Sequence, residues 1–192
     1  PSSPSYVTFL DLNKSISRPI ENYKFQPINL IKETIIIPDF VKIEENNYII
    51  KSGNYVSDSI ILPKNKNLII EENTEIDFKK NSLIYINGGC LLIKGNNQRK
   101  IKLSSKNSYW RGIYVNGCKD INEIKYTIFE NLDYFSHENI QLTGAINFYN
   151  TSVKIKNSSF YKNIAEDFIN ITNSSFNFND LEIYNSSSDA ID

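Results

Sequence analysis

The feature that most constrains the fold of this chain is an internal repeat of short apolar triplets. Successive starts in one set of these apolar–any–apolar triplets differ by 24, 29, 33, 23 and 22 residues. That set begins at Ile60, Ile84, Ile113, Ile146, Ile169 and Ile191. Residues two apart in a strand face the same side, so each triplet predicts two inward apolar side chains and one outward side chain. Strands this short cannot bury an apolar face alone, so the repeat predicts that they stack on one another.

Two further sets of triplets lie between the members of the first. The triplets of the second set start at Leu68, Leu91, Ile124, Val153 and Phe176. Those of the third set start at Ile76 and Ile101, and the set continues near Phe129, Phe160 and Ile183. The connectors are rich in Asn, Gly and Ser, which suit corners because Asn and Gly tolerate positive φ. Three strands per period predict an all-β fold, a right-handed parallel β-helix with three sheets and about five to six coils, truncated at the C-terminus.

Residues 48–192 resemble the right-handed parallel β-helix repeat proteins of the pectin-lyase-like superfamily. Gly-Asn-Tyr-Val at 53–56, Leu-Ile-Ile-Glu-Glu-Asn-Thr-Glu-Ile at 68–76 and Trp-Arg-Gly-Ile at 110–113 look like the opening coils of that superfamily. The resemblance implies the fold, and it implies that polysaccharide lyases or glycoside hydrolases are the relevant enzyme classes. The chain lacks the Gly-His-Gly and Arg-x-Lys motifs of polygalacturonases and the Trp-x-Asp-His run of pectate lyases, so neither activity is carried over.

The chain divides by periodicity into two parts. Residues 1–33 contain four prolines and no clear period, which predicts an extended N-terminal segment, a linker or a cap, and residues 34–192 form the incomplete β-helix. The chain contains no Met and stops inside a predicted strand, so we expect further coils or domains of a parent protein to be its partners. An open last coil would then favour aggregation.

Charge and hydropathy exclude two classes of partner. The net charge is −1, which does not favour binding to bulk nucleic acid through phosphate neutralisation. No apolar run approaches the roughly 20 residues of a membrane-spanning helix. We therefore expect no membrane span in this chain, while the resemblance to pectin-lyase-like β-helix proteins implies an extracellular or cell-surface protein.

Insertions in the two longest repeats are candidates for functional loops. They fall at residues 95–100, 104–110 and 131–142, and in repeat proteins such loops often build the functional surface.

Two pairs of asparagines and one pair of cysteines fall at matching positions of adjacent repeats. Cys90 and Cys118 are 28 residues apart where the local period is 29, which predicts neighbouring coils and allows either a disulfide or two stacked buried thiols. The asparagine pairs are Asn87 with Asn116 and Asn163 with Asn185, and we interpret both as structural ladders.

The outward row of the first strand set is a candidate polysaccharide surface. It contains Ile61, Tyr85, Tyr114, Asn147, Asn170 and Asp192, with Arg111 beside it. Tyrosine rings offer flat faces to sugars, amides offer orienting hydrogen bonds, and Arg111 would contact a substrate carboxylate. The alternative is an ordinary solvated sheet face.

The most prominent cluster of candidate site residues is acidic and comprises Glu166, Asp167, Asp189 and Asp192. An offset of 22 residues places Asp167 beside Asp189, and carboxylates about 5 Å apart raise a pKa, bind a hard cation or perform acid–base chemistry. Asp167, Asp189 and Asp192 are the catalytic candidates, and Glu166, Asp167 and Asp189 are the candidate Ca²⁺ ligands. The alternative is a hydrated acidic ladder.

Two functions follow from these patterns. The first is a secreted or surface β-helix that binds or processes a polysaccharide, through lyase-like or hydrolase-like chemistry if it is an enzyme. The second is a structural or adhesive solenoid, a stalk or spacer of a larger surface protein.

Overall fold

The computed structural model describes residues 6–11, 14–19, 34–137 and 140–192. These residues contain no helix and fold into strands in two units, Pro1–Leu30 and Ile31–Asp192. The strands are β1 (Tyr6–Asp11), β2 (Lys14–Pro19), β3 (Val41–Glu44), β4 (Asn47–Ile50), β5 (Gly53–Ser57), β6 (Ile60–Ile61), β7 (Asn67–Glu71), β8 (Thr74–Phe78), β9 (Ile84–Asn87), β10 (Leu91–Lys94), β11 (Ile101–Ser104), β12 (Ile113–Asn116), β13 (Ile121–Lys125), β14 (Thr127–Leu132), β15 (Ser136–His137), β16 (Ile140–Gln141), β17 (Gly144–Tyr149), β18 (Ser152–Asn163), β19 (Asp167–Thr172) and β20 (Ser175–Tyr184).

The first unit contains one antiparallel pair. Strands β1 and β2 pair along their full length, with Tyr6 opposite Pro19 and Asp11 opposite Lys14. The rest of the predicted 1–33 segment lies outside the described residues.

Parallel strands in the second unit stack into three ladders. Ladder A contains β6, β9, β12, β17 and β19 in that order. Ladder B contains β4, β7, β10, β13 and the first halves of β18 and β20. Ladder C contains β5, β8, β11, β14 and the second halves of β18 and β20. Ladders B and C form one sheet because β18 runs through both. The prediction of an all-β fold with parallel strands is confirmed.

The register of the ladders follows the sequence repeat. Ile113 lies opposite Ile84 on one side and Ile146 on the other, and Ile146 lies opposite Ile169. Each ladder therefore stacks the apolar positions of successive repeats, including the 29- and 33-residue periods whose extra residues leave the ladder as loops.

Inward side chains of all three ladders form one hydrophobic core. Phe129 and Phe160 stack at a ring-centroid distance of 4.9 Å on adjacent strands of ladder C, and Phe78 stacks on Trp110 at 4.4 Å. Stacked aromatic pairs add roughly 0.5–1.5 kcal/mol each beyond the area that they bury.

Left-handed backbone conformations mark the bend that follows ladder A. The bend residues have φ between +48° and +80° and are Asn65, Gly88, Gly117, Asn150 and Asn173. Asn and Gly occupy this conformation at low cost, which explains why the connectors contain them.

Antiparallel segments cover the N-terminal edges of ladders A and B. Strand β3 pairs antiparallel with β4, and Ile36 exchanges two backbone hydrogen bonds with Ile61, at 3.0 and 2.8 Å. Both segments satisfy backbone groups that would otherwise be unpaired at an edge. The described residues contain no helix with the length and apolarity needed to cross a membrane.

Candidate functional site

The predicted outward row of ladder A is in register in the structure. Tyr114 lies opposite Tyr85 and Asn147, and Asn147 lies opposite Asn170. The rings of Tyr85 and Tyr114 are nearly parallel, with centroids 5.4 Å apart. The stacking that the repeat predicts is therefore present.

This row is buried from Ile61 to Asn170, and its last residue, Asp192, is exposed, which corrects the interpretation of Tyr85 and Tyr114 as an accessible sugar platform. Tyr85 and Tyr114 are each 8% exposed and Asn147 is fully buried. Phe135, from the insertion at 131–142, packs against Tyr114 with ring centroids 6.5 Å apart, and Ile36 pairs with Ile61. Burial raises the pKa of the Tyr114 phenol, and the neighbouring tyrosines Tyr85 and Tyr149 raise it further.

The two amides of this row bind the chain itself. The Asn147 Nδ2 donates to the carbonyls of Gly144 at 2.6 Å and Ile113 at 3.4 Å. The Asn170 Nδ2 donates to Thr143 Oγ1 at 2.8 Å and to Asp192 Oδ2 at 3.4 Å. Both side chains are buried in this structure, so neither has a surface at which it could make the predicted contact with a substrate.

Asp167 lies at the start of β19 and is 3% exposed. Its backbone N–H donates to the Thr143 carbonyl at 3.1 Å. Burial raises the pKa of the Asp167 carboxyl because it penalises the charged form. A hydrogen bond with Thr143 opposes that effect, while nearby carboxylates, with Asp192 the strongest, add to it.

The other candidate acids are solvent-exposed. Glu166, Asp189 and Asp192 are exposed, and within the described ranges no group of three His, Cys, Asp or Glu side chains could hold a metal ion. The predicted Ca²⁺ set of Glu166, Asp167 and Asp189 is thus not assembled. Arg111 is half-buried, and its backbone N–H donates to the Ser82 carbonyl at 2.7 Å.

Cys90 and Cys118 form a disulfide with their Cα atoms 5.0 Å apart. The disulfide crosses from one repeat to the next at the bend before ladder B. Next to this bend, an asparagine ladder extends the predicted Asn87–Asn116 pair by two members. Asn116, Asn150 and Asn173 each donate to the preceding amide oxygen, at 3.5, 3.1 and 2.7 Å.

The second predicted asparagine pair makes a different contact. The Asn163 backbone N–H donates to the Asn185 carbonyl at 3.3 Å, while the Asn163 side chain bonds to the Ala165 backbone at 3.0 and 3.1 Å. Asn163 therefore shapes its own loop rather than an amide ladder.

An accessible polar groove lies at the bend between ladders B and C. Tyr126, Asn157 and Asp180 occupy this bend on successive repeats, with φ of 48°, 51° and 53°. The insertion at 95–100 supplies one wall. The groove has a volume of about 340 Å³ and is lined by Asn97, Lys100, Tyr126, Asn157, Ser159, Asp180, Leu181 and Glu182. We call it the bend groove.

Hydrogen bonds along the repeat direction order this groove. The Asn157 Nδ2 donates to Asp180 Oδ2 at 3.4 Å, and the Ser159 Oγ donates to Glu182 Oε2 at 3.1 Å. These bonds hold two carboxylates in the lining of the groove, which also contains Tyr126 and Lys100. The groove thereby presents acceptors, a donor and an aromatic face within one depression.

An exposed aromatic stack continues the surface beside the groove. Tyr161 and Tyr184 lie two residues beyond Ser159 and Glu182, and their rings are 5.0 Å apart with an interplanar angle of 2°. Tyr184 is 49% exposed. The third set of triplets predicts these outward positions, because each follows an inward Phe160 or Ile183, although the repeat does not show that Tyr184 stays exposed.

Comparison with known protein families, curated proteins and solved structures finds no significant match to this chain.

Proposed function

We propose that the second unit is a right-handed parallel β-helix of six repeats. Three ladders of parallel strands, repeated every 22–33 residues around one core, support this architecture. The hand follows from a general rule, since connections between parallel strands are right-handed in about 98% of cases.

We propose that this protein binds a polysaccharide outside the cell or at its surface. The observation that carries the proposal is the bend groove with the adjoining Tyr161–Tyr184 stack. Aromatic faces pack against sugar rings, while carboxylates and amides accept hydrogen bonds from hydroxyls. Strand spacing of about 4.8 Å repeats these groups along the chain of an extended ligand.

The disulfide supports an extracellular location. Disulfides persist in oxidising compartments and are rare in reducing ones, and Cys90 and Cys118 are the only cysteines of the chain. The lining of the groove contains two carboxylates, Asp180 and Glu182, and one ammonium, Lys100, and this net negative charge favours a neutral or amine-bearing polysaccharide over a polyanion.

Binding, and not cleavage, is the activity proposed. The predicted catalytic set is divided, because Asp167 is buried while Asp189 and Asp192 are exposed. Acid–base chemistry on a sugar requires both carboxyl groups to reach the same glycosidic bond.

Titration calorimetry against neutral, cationic and anionic polysaccharides tests the proposal. We expect Tyr161→Ala/Tyr184→Ala to weaken binding by about five- to tenfold, the equivalent of one aromatic contact. Tyr109→Ala is the matched control, since Tyr109 is also exposed, at 37%, but belongs neither to the bend groove nor to the Tyr161–Tyr184 stack. Lack of binding to every polysaccharide, or equal weakening by the control, would contradict the proposal.

A structural solenoid is the second candidate. The Asn87–Asn116–Asn150–Asn173 ladder and the buried Tyr85–Tyr114 stack favour it, because both add rigidity without exposing a binding surface. This function predicts no polysaccharide binding and high resistance to proteolysis across residues 41–184.

A further inference from the structure

The outward side chains in the middle of ladder B form a continuous surface. Ile69 on β7 and Leu92 on β10 alternate with fully buried core residues and lie opposite each other on adjacent strands. We call the outward side chains of β7, β10, β13 and the first half of β18 the ladder B face. Each of these strands is paired on both sides, so the face lies away from either edge of the sheet.

A row of three lysines crosses the ladder B face. Lys94 on β10 lies opposite Lys125 on β13, and Lys125 lies opposite Lys156 on β18. Adjacent strands are about 4.8 Å apart, so the three ammonium groups are held close together. Like charges directly opposite one another destabilise a strand pair. The stability of the fold therefore does not explain this row.

The carboxylates of the ladder B face do not neutralise the lysines. Glu123 pairs with Lys125 at 2.8 Å, and Glu71 pairs with Lys51 at 2.6 Å. The exposed lysines of the face that have no carboxylate partner among the described residues are Lys94, Lys154 and Lys156. The face thus carries three unpaired positive charges, although the net charge of the whole chain is −1.

Apolar side chains stand beside these lysines. Ile69 and Leu92 are partly exposed, and Ile121, on the same strand as Lys125, is 57% exposed. Unpaired lysines next to exposed apolar side chains match the surface of a membrane that contains anionic lipids. Its headgroups attract the ammonium groups, and its acyl boundary takes up the apolar side chains. A soluble polyanion would use the lysines alone.

We propose that the ladder B face docks this protein on a membrane surface that contains anionic lipids. The lysine stems lie along that surface with their ammonium groups among the headgroups, while Ile121 and Leu92 contact the acyl boundary. Docking adds to the binding of a polysaccharide and does not depend on it.

Flotation of the full chain with lipid vesicles tests this proposal. We expect the protein to bind vesicles made of equal parts phosphatidylcholine and phosphatidylserine, and to bind pure phosphatidylcholine vesicles at least about tenfold more weakly. Binding to the mixed vesicles should weaken as the salt concentration rises, because salt screens exposed charges. Lys94→Gln/Lys156→Gln should lower the partition constant about 10- to 30-fold, since each lysine near an anionic surface contributes about a factor of five.

Lys80→Gln/Lys162→Gln is the matched control for charge. Both lysines are exposed, one directly after the ladder C strand β8 and one in the ladder C half of β18, so the net charge changes equally away from the ladder B face. Ile121→Ser tests the apolar contact, and we expect it to weaken binding several-fold without changing the salt dependence. Circular dichroism checks that each variant keeps its fold.

Absence of binding to the mixed vesicles, or equal weakening by the control, would overturn the proposal. Binding that Ile121→Ser leaves unchanged would also overturn it, and would assign the lysine row to a soluble polyanion. The assay contains no polysaccharide, so its outcome is independent of the polysaccharide-binding function.

Discussion

Removal of the Cys90–Cys118 disulfide should destabilise the second unit by an amount set by the loop that it closes. The two cysteines are 28 residues apart, and the chain-entropy relation gives a loss of about 3.6 kcal/mol at 25 °C for a loop of that size. For a chain of this length the loss corresponds to a decrease in Tm of about 7–14 °C. The cysteines are buried, so Cys90→Ala/Cys118→Ala changes little surface.

Urea unfolding of the oxidised wild type and of the double variant measures this difference. Equal m-values would show that the two proteins expose the same surface on unfolding, so that the change in midpoint reports stability alone. Thiol titration of the unfolded wild type should detect no free cysteine. A loss below about 1 kcal/mol would refute the loop-closure argument, and two titratable thiols would refute the disulfide itself.

Three further substitutions test particular contacts. Asp167→Asn should stabilise the protein at neutral pH and not at pH 3. The Asp167 carboxyl has a raised pKa in the folded state, so its protonated form favours folding. The wild type loses this stabilisation as the pH rises from about 4 through the folded pKa, whereas the neutral Asn side chain does not titrate. Urea midpoints from pH 3 to 8 check this, with Asp39→Asn as the control, since Asp39 is exposed and does not contribute to the raised pKa of Asp167. Asn122→Leu should cost about 1–3 kcal/mol in urea unfolding, because it leaves the Leu91 N–H, which donates to the fully buried Asn122 at 2.8 Å, without an acceptor. Gly112→Ala should destabilise more than Gly117→Ala by thermal unfolding: both have positive φ, but a Cβ at Gly112 would lie 2.0 Å from the Ala145 carbonyl oxygen, whereas at Gly117 its nearest neighbour is 4.0 Å away. Equal losses would show that backbone conformation, and not the close approach, sets the requirement for glycine.

The ladder register was predictable because it depends on local pattern alone. Two inward apolar residues per strand, such as Ile113 and Val115, must meet their counterparts on the next repeat, and a slip of one residue would expose both. The position of Cys118 follows from the same counting. These inferences need no knowledge of how loops fold.

The repeat did not predict which outward side chains of ladders A and C are accessible to solvent. The alternation predicts that Tyr85 and Tyr114 point away from the core, and in the structure they lie opposite each other on adjacent strands. Whether such a residue contacts water depends on segments without a period. Here Phe135 and Ile36 come from such segments and cover ladder A, so its tyrosines are buried.

The insertions therefore determine which face of this protein is accessible to a ligand. The insertion at 131–142 closes the tyrosine face of ladder A, while the shorter insertion at 95–100 leaves ladder C open and adds Asn97 and Lys100 to a wall of the bend groove. The first of these loops follows β14 of ladder C and the second follows β10 of ladder B, but the apolar pattern of the strands does not show which loop folds back over a neighbouring face. In a fold of stacked parallel strands such as this one, the repeat determines which residues lie side by side, and the loops determine which of those rows a ligand can reach. A search for function along such a sequence should therefore compare the rows that the insertions leave open with the rows that they cover, as the Tyr161–Tyr184 and Tyr85–Tyr114 stacks illustrate.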